Sequence, residues 1–124
     1  MQQTQVRVLL CDDTEDLLMM LSLEFGFHPE LEVVGTAPNG RVAIDKAGEL
    51  QPDVIVLDLA MPVMDGLEAL PEIRRVAPSA RVVILSGFQS ATMETKALEL
   101  GACLYLEKGT HLAQIVEAVR NVAA

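Results

Sequence analysis

Tryptophan is missing from this chain of 124 residues, tyrosine occurs once, and aromatic residues make up 3% of the total. Proteins that hold single-stranded nucleic acid stack bases on aromatic rings, and this one has almost none to offer. Basic residues are also scarce: nine Lys and Arg stand against eighteen Asp and Glu, a formal net charge of -9. An acidic surface repels a phosphate backbone, so direct nucleic-acid binding is not expected. No apolar run approaches the ~18 residues that span a bilayer, so no membrane segment is expected. The opening residues MQQTQ lack the basic and apolar regions of a secretory signal. Cysteine occurs only as Cys11 and Cys103, with no Cys-x-x-Cys pair, and no His/Cys set has zinc spacing. The expectation is a cytoplasmic protein with free thiols.

What is present points to a folded core. The chain is 51% hydrophobic and 22% charged, and its length matches one domain, read here as residues 1–124. Five short apolar runs stand out: Val6–Cys11, Leu31–Val34, Val54–Leu57, Arg81–Leu85 and Cys103–Leu106. Their length and polar, Gly or Pro borders favour strands. The third and fourth are apolar without alternation, as strands buried on both faces are. Helix-length segments lie between, at about Thr14–Phe25, Gly40–Leu50, Gly66–Val76, Ser90–Leu100 and Thr110–Ala123. Gly26 and Gly101 fit C-caps, Pro78 closes the third helix, and Thr110 fits the N-cap of the last. Five βα units are too few for a closed eight-stranded barrel. The α/β expectation is an open, doubly wound parallel sheet, because right-handed crossovers place helices on both faces.

Ligands in such sheets sit at the carboxyl ends of the strands. Asp12 and Asp13 follow the first run, Asp58 the third, Ser86 and Gly87 the fourth, and Lys108 the fifth. Any one of these is ordinary: an acid there is often a turn residue, and a lone Lys is usually solvated. Together they gather three carboxylates, a hydroxyl and an amine on one edge. Clustered carboxylates resist joint ionisation and attract a hard cation, and Mg²⁺ takes one or two of them together with phosphate. A carboxylate is also a nucleophile toward phosphorus.

The acidic pair Asp12-Asp13, the stretch Asp58-Leu-Ala-Met-Pro-Val-Met-Asp-Gly66, Ser86-Gly87 and Tyr105-Leu-Glu-Lys108 resemble the receiver domains of two-component response regulators. The likeness covers essentially the whole chain. Leu31-Glu-Val-Val-Gly35 and Lys108-Gly109-Thr110 are most similar to the subgroup with a helix-turn-helix output domain. The resemblance implies a flavodoxin-like (βα)5 sheet with strand order 2-1-3-4-5. It implies that Asp58 accepts a phosphoryl group from a phosphohistidine. Asp12, Asp13, Asp58 and the carbonyl of Ala60 would hold Mg²⁺, Lys108 and Ser86 would meet the phosphoryl oxygens, and Tyr105 would swing inward with Ser86. Pro62 and Gly66 would shape the loop after Asp58. Such a domain is a switch, not a turnover enzyme, that assists its own phosphorylation and dephosphorylation. Its implied partners are a sensor histidine kinase or phosphotransfer protein, a C-terminal DNA-binding output domain, and a second copy upon phosphorylation.

Lys108 is usually followed by Pro in that family, and here Gly109 stands there. A non-proline cis bond costs roughly 3–4 kcal/mol, so a trans Lys108–Gly109 bond is expected. The first helix is apolar nearly all round, with Ser22 and Glu24 the only polar positions from 17 to 25. Met19 and Leu23 fall off the Leu17/Leu21/Phe25 stripe, which fits either partner docking or scattered surface apolar residues. The methionines otherwise read as core filling, and His28 and His111 as solvent-facing. A competing function on the same fold, an FMN electron carrier, needs a Ser/Thr/Gly-rich phosphate loop, where this chain has Cys11-Asp-Asp-Thr-Glu-Asp16. An aspartyl phosphatase needs a second Asp two residues after the first, and Thr14 and Glu15 stand at that offset from Asp12 and Asp13.

Overall fold

A computed structural model describes residues 5–87 and 90–124. Residues 1–4, part of the stretch read above for a targeting signal, lie outside that set. Five strands and five helices alternate: β1 (Val6–Cys11), α1 (Glu15–Gly26), β2 (Leu31–Ala37), α2 (Gly40–Leu50), β3 (Val54–Leu57), α3 (Gly66–Val76), β4 (Arg81–Ser86), α4 (Ala91–Glu99), β5 (Leu104–Glu107) and α5 (Leu112–Ala123). The strands are all parallel, in the order β2-β1-β3-β4-β5.

The unalternating apolar runs are explained by two cores, one on each face. Leu9, Cys11, Ile55, Leu57, Val82 and Ile84 point to one side, under Ala43, Ala47, Ala69, Leu70, Ile73 and Ala97 of α2, α3 and α4. The alternate residues Val8, Leu10, Val54, Val56, Val83 and Leu85 point to the other, under Leu21 and Phe25 of α1 and Ile115, Val116 and Val119 of α5. Each large aliphatic side chain so buried contributes roughly 1.5–3 kcal/mol. Both faces of the central strands must therefore be apolar, and polar residues are pushed to the strand ends.

Several local expectations are corrected. β2 runs three residues further, because Gly35, Thr36 and Ala37 pair with Leu9, Leu10 and Cys11 after a register shift that sets Val34 aside. Gly26 is still helical, and Phe27 caps α1 by donating its N–H to Glu24 O at 3.1 Å. Thr110 is not the cap of α5: its N–H donates to Glu107 O at 3.0 Å and closes a turn, and His111 takes the cap position without a side-chain bond. Cys103 precedes β5 and is exposed, whereas Cys11 is buried; both are free. Met61 lies in the core as expected and Met19 is exposed, as its place off the stripe implied, but Met20 is exposed rather than core-filling. His28 is half-buried, 3.2 Å from Glu24 and 3.6 Å from Glu30, so it does not simply face solvent. No peptide bond among the described residues is cis, Lys108–Gly109 included. No helix among the described residues is long and apolar enough to cross a membrane.

Candidate functional site

The ladder itself brings the two buried acids together. Cys11 and Leu57 are register partners on adjacent β1 and β3, so the next residue of each strand, Asp12 and Asp58, emerges at the same edge. The backbone continues the pattern: Asp58 N–H donates to Cys11 O at 2.9 Å, and Asp12 N–H donates to Ala37 O at 2.9 Å. Asp12 is 3% and Asp58 1% exposed, while Asp13 is exposed. One carboxylate oxygen from each of the three lies within 4.8 Å of the others, a geometry that could hold a metal ion.

Lys108 reaches this cluster from the other side of the sheet. Its N–H donates to Ser86 O at 2.9 Å, which fixes the turn after β5 against the end of β4. Its Nζ sits 2.9 Å from Asp12 Oδ2 and 3.1 Å from Asp58 Oδ2. Burial works against the charged ammonium, but the bonds to Asp12 and Asp58 outweigh it and raise the Lys108 pKa. Burial also raises the pKa of Asp58, and the charge of Asp12 adds to it. The bonds from Lys108 and from Ala60 N–H offset only part of that rise.

Local backbone donates to the other oxygen of each buried acid. Thr14 N–H donates to Asp12 Oδ1 at 2.8 Å, an Asx turn that launches α1. Ala60 N–H donates to Asp58 Oδ1 at 3.2 Å. The loop after Asp58 is tightly seated. Gly66 N–H donates to Leu59 O at 2.9 Å, and a Cβ on Gly66 would run into the Asp58 carbonyl. Asp65 caps α3 by accepting from Glu68 N–H at 2.8 Å. Between them Met64 N–H reaches Pro62 O at 2.7 Å, which places Val63 at φ 68°, a rare conformation for a β-branched residue. Gly40 N–H donates to Met64 O at 2.8 Å, and a Cβ there would strike Met64, so the start of α2 is clamped to the same loop.

Ser86 is the last residue of β4 and fully buried. Tyr105 is half-buried on the α2–α4 side of the sheet, opposite Ile84 in register. The residues expected from the sequence thus divide. Asp12, Asp13, Asp58 and Lys108 form one cluster. Ala60 and Ser86 border it through Asp58 Oδ1 and the Lys108 backbone. Tyr105 pairs lower in the β4–β5 ladder. Sequence reasoning missed the pairing of Lys108 with Asp12, the left-handed Val63 and the Gly40 clamp. A Gly one position after the capping residue Asn39 was the only available signal for the clamp, and it is an equivocal one.

The arrangement supplies an ionisable oxygen nucleophile at Asp58, a fixed positive charge beside it, and three carboxylates able to bind a hard cation. Comparison with known proteins follows the same line. Residues 8–120 match the family model described as the response regulator receiver domain. The chain is 35% identical over 117 residues to the chemotaxis protein CheY of Thermotoga maritima, covering 94% of this chain and 97% of that protein. It is 39% identical over 116 residues to the response regulator protein VraR of Staphylococcus epidermidis, covering 94% of this chain and 56% of that protein. It therefore spans about half the length of VraR. A chain of the CheX–CheY–BeF3–Mg²⁺ complex from Borrelia burgdorferi matches with a TM-score of 0.91 at 26% identity, over 98% of this chain and 91% of that one. By fold, by strand-end chemistry and by descent, the chain belongs to the response regulator receiver domains of two-component signalling.

Proposed function

We propose that this protein works in the cytoplasm, that Asp58 accepts a phosphoryl group from the phosphohistidine of a sensor histidine kinase or phosphotransfer protein, and that residues 1–124 form the receiver domain that does so. The observation that carries this reading is the convergence of Asp12, Asp13 and Asp58 with the Lys108 ammonium between the two buried acids. Asp58 Oδ forms the new bond to phosphorus as the phosphorus–nitrogen bond of the donor breaks, and the departing imidazole takes a proton. Asp12, Asp13, Asp58 and the Ala60 carbonyl would hold Mg²⁺, which when bound supplies charge neutralisation for the acids and the phosphoryl oxygens. The donor set fits that ion: hard oxygens only, with one exposed carboxylate leaving room for water. Lys108 meets the developing charge with its ammonium, and the buried Ser86 hydroxyl lies at the same edge to donate a hydrogen bond.

Movement of Ser86 toward the phosphoryl group changes the packing available to Tyr105 on the neighbouring strand. That shift alters the face made by α4, β5 and α5, by population of a pre-existing state. In a longer regulator this face would signal to a DNA-binding output domain. Incubation with acetyl phosphate or a phosphorylated histidine kinase tests the reading, followed by intact mass. Label is expected to require Mg²⁺, to vanish in Asp58→Asn, and to persist at a reduced level in Lys108→Ala. Label unchanged in Asp58→Asn, or formed equally in excess EDTA, sinks it. NMR shifts confined to the Asp58 loop on activation would sink the Tyr105 coupling alone.

A further inference from the structure

We propose that Ala37-Pro38-Asn39-Gly40, the link from β2 into α2, is a strap that sets the spacing between Asp12 and the loop after Asp58, with Gly40 as its positioning residue. This rests on the proposed function of that site and deepens it, by naming a control on cation affinity that touches neither the ion nor the phosphoryl group.

The strap is fastened at both ends. Ala37 is fully buried at the end of β2, opposite Cys11, and its carbonyl accepts from Asp12 N–H at 2.9 Å. At the other end Gly40 N–H donates to Met64 O at 2.8 Å. The length between them is stiff. The ring of Pro38 fixes its φ, and Asn39 Oδ1 accepts from Val42 N–H at 3.0 Å, which starts α2 at Gly40. The first turn of a helix leaves its N–H groups without intrahelical partners. α2 satisfies one of them with the Met64 carbonyl, and in doing so takes hold of the Asp58 loop.

The loop end of the strap has no room for a side chain. A Cβ on Gly40 would stand 2.5 Å from Met64 O, 2.9 Å from its Cγ and 3.0 Å from its carbonyl carbon. Two of those atoms are backbone, so a side chain enters only if strap and loop move apart. α2 resists that movement, because Ala43 and Ala47 are fully buried against the sheet. The loop has space to yield: an open groove of about 520 Å³, lined by Asp13, Met61, Leu67 and Met93 among others, runs beside it. Val63, at φ 68°, is held there against its own backbone preference. Whichever side gives, the change reaches a proposed cation ligand, through Ala37 to the backbone of Asp12 or through Met64 to the turn that follows Ala60. Asp58 is spared, because its own N–H is bound to Cys11 O in the strand ladder. The strap therefore governs how well the ion is held, and not how well the nucleophile is placed.

The test is Gly40→Ala, with Gly48→Ala as the control in the same helix, where an added Cβ would make ordinary contact with Val76 at 3.5 Å. Mg²⁺ affinity is measured by calorimetry on the unphosphorylated protein. Labelling of Asp58 by acetyl phosphate is followed by intact mass at saturating Mg²⁺, at a temperature where melting curves show every variant folded. Gly40→Ala is expected to bind Mg²⁺ about tenfold more weakly, the low end of the range for groups that orient a ligand without touching the metal. Its labelling rate at saturating Mg²⁺ is expected to stay at the wild-type level, and Gly48→Ala to match wild type in both measurements. Asn39→Ala frays the first turn of α2 without adding an atom that clashes. It is expected to weaken Mg²⁺ binding in the same direction by less, and it decides the matter should Gly40→Ala fail to fold. Wild-type affinity in folded Gly40→Ala, equal weakening in Gly48→Ala, or a slower labelling rate with unchanged affinity each overturns the strap and leaves the proposed function standing. Wild type that binds no Mg²⁺ and is labelled equally without it overturns the proposed function, and the strap with it.

Discussion

Helices α3 and α4 occupy the same layer, and each follows a strand that carries a site residue, but they are held very differently. α3 buries Gly66, Ala69, Leu70 and Ile73, whereas Ala97 is the one buried residue of α4. Both have a good N-cap, Asp65 for α3 and Ser90 for α4. The far end of α3 is tied twice more: Gln51 Nε2 donates to Val76 O at 2.9 Å, and Arg74 donates to Ala80 O at 2.6 Å. α4 leaves Leu98 41% exposed. The N-caps are comparable and α3 even carries Pro71 in its interior, so tertiary burial makes the difference. Asp58 stands on a fixed frame. Ser86 leads into an element that buries Ala97 fully and packs Met93 half-buried against the core. The proposed function would use that asymmetry, since it keeps the geometry at Asp58 while leaving the α4 face free to change.

The comparison can be broken most directly by truncation. Ile73→Ala in α3 should cost about 2–5 kcal/mol, read by urea denaturation. Ala97→Gly in α4 should cost only about 1 kcal/mol, most of it helix propensity. Equal costs would mean that α4 is held as firmly as α3. Hydrogen exchange gives the same contrast without mutation: α4 amides should open through local fluctuations and exchange well before those of α3.

Asp58 sharpens the view of the frame. Its pKa is raised, so between its ordinary carboxylate value and the higher folded value the native state binds more protons than the unfolded one. Stability must then fall as pH rises through that window, and the ionised carboxylate remains a burden above it. Asp58→Asn should stabilise the protein at neutral pH; a gain of ~1 kcal/mol would appear as roughly 4 °C in Tm. The advantage should fade on acidification below the folded pKa. A destabilised Asp58→Asn would show that the Lys108 bond dominates over burial.

The smallest effect is expected at the rim of the frame. Val63 is 85% exposed with φ 68°, so its side chain contributes little packing while its backbone is strained. Val63→Gly should raise Tm by a few degrees, from relief of ~1 kcal/mol of left-handed strain net of the entropy of glycine. An unchanged or lower Tm would show that the turn is held in some other way.

The sequence revealed most where burial leaves one solution. Strands β1, β3 and β4 were legible because a strand packed on both faces must be continuously apolar, and Asp12 and Asp58 were legible as the first polar residues beyond. The end of β2 was not: Gly35, Thr36 and Ala37 carry no apolar signature, and only their pairing with Leu9–Cys11 makes them a strand. The start of α5 was misread because Thr110 has the chemistry of a cap but lends its backbone to the turn that aims Lys108. For α1, the Leu21/Phe25 side was readable as core and Met19 and Leu23 as lying off it, but not the exposure of Met20 and Phe27 at 51% and 77%. Which apolar face of such a helix stays uncovered is decided by the angle at which it lies on the sheet. The bridge from Lys108 to Asp12 was hidden because no local pattern links residues so far apart.

That separation has a consequence for how the chain is made. Lys108 lies fifty positions after Asp58. During vectorial synthesis both buried carboxylates leave the ribosome well before the residue that neutralises them exists. In the finished sheet β1 is interior and β5 lies at the margin. A nascent chain that has already paired β1 with β3 holds two acids in close apposition with no lysine between them. Of the five strands of this sheet, the last to be translated is thus the one followed by the counter-charge.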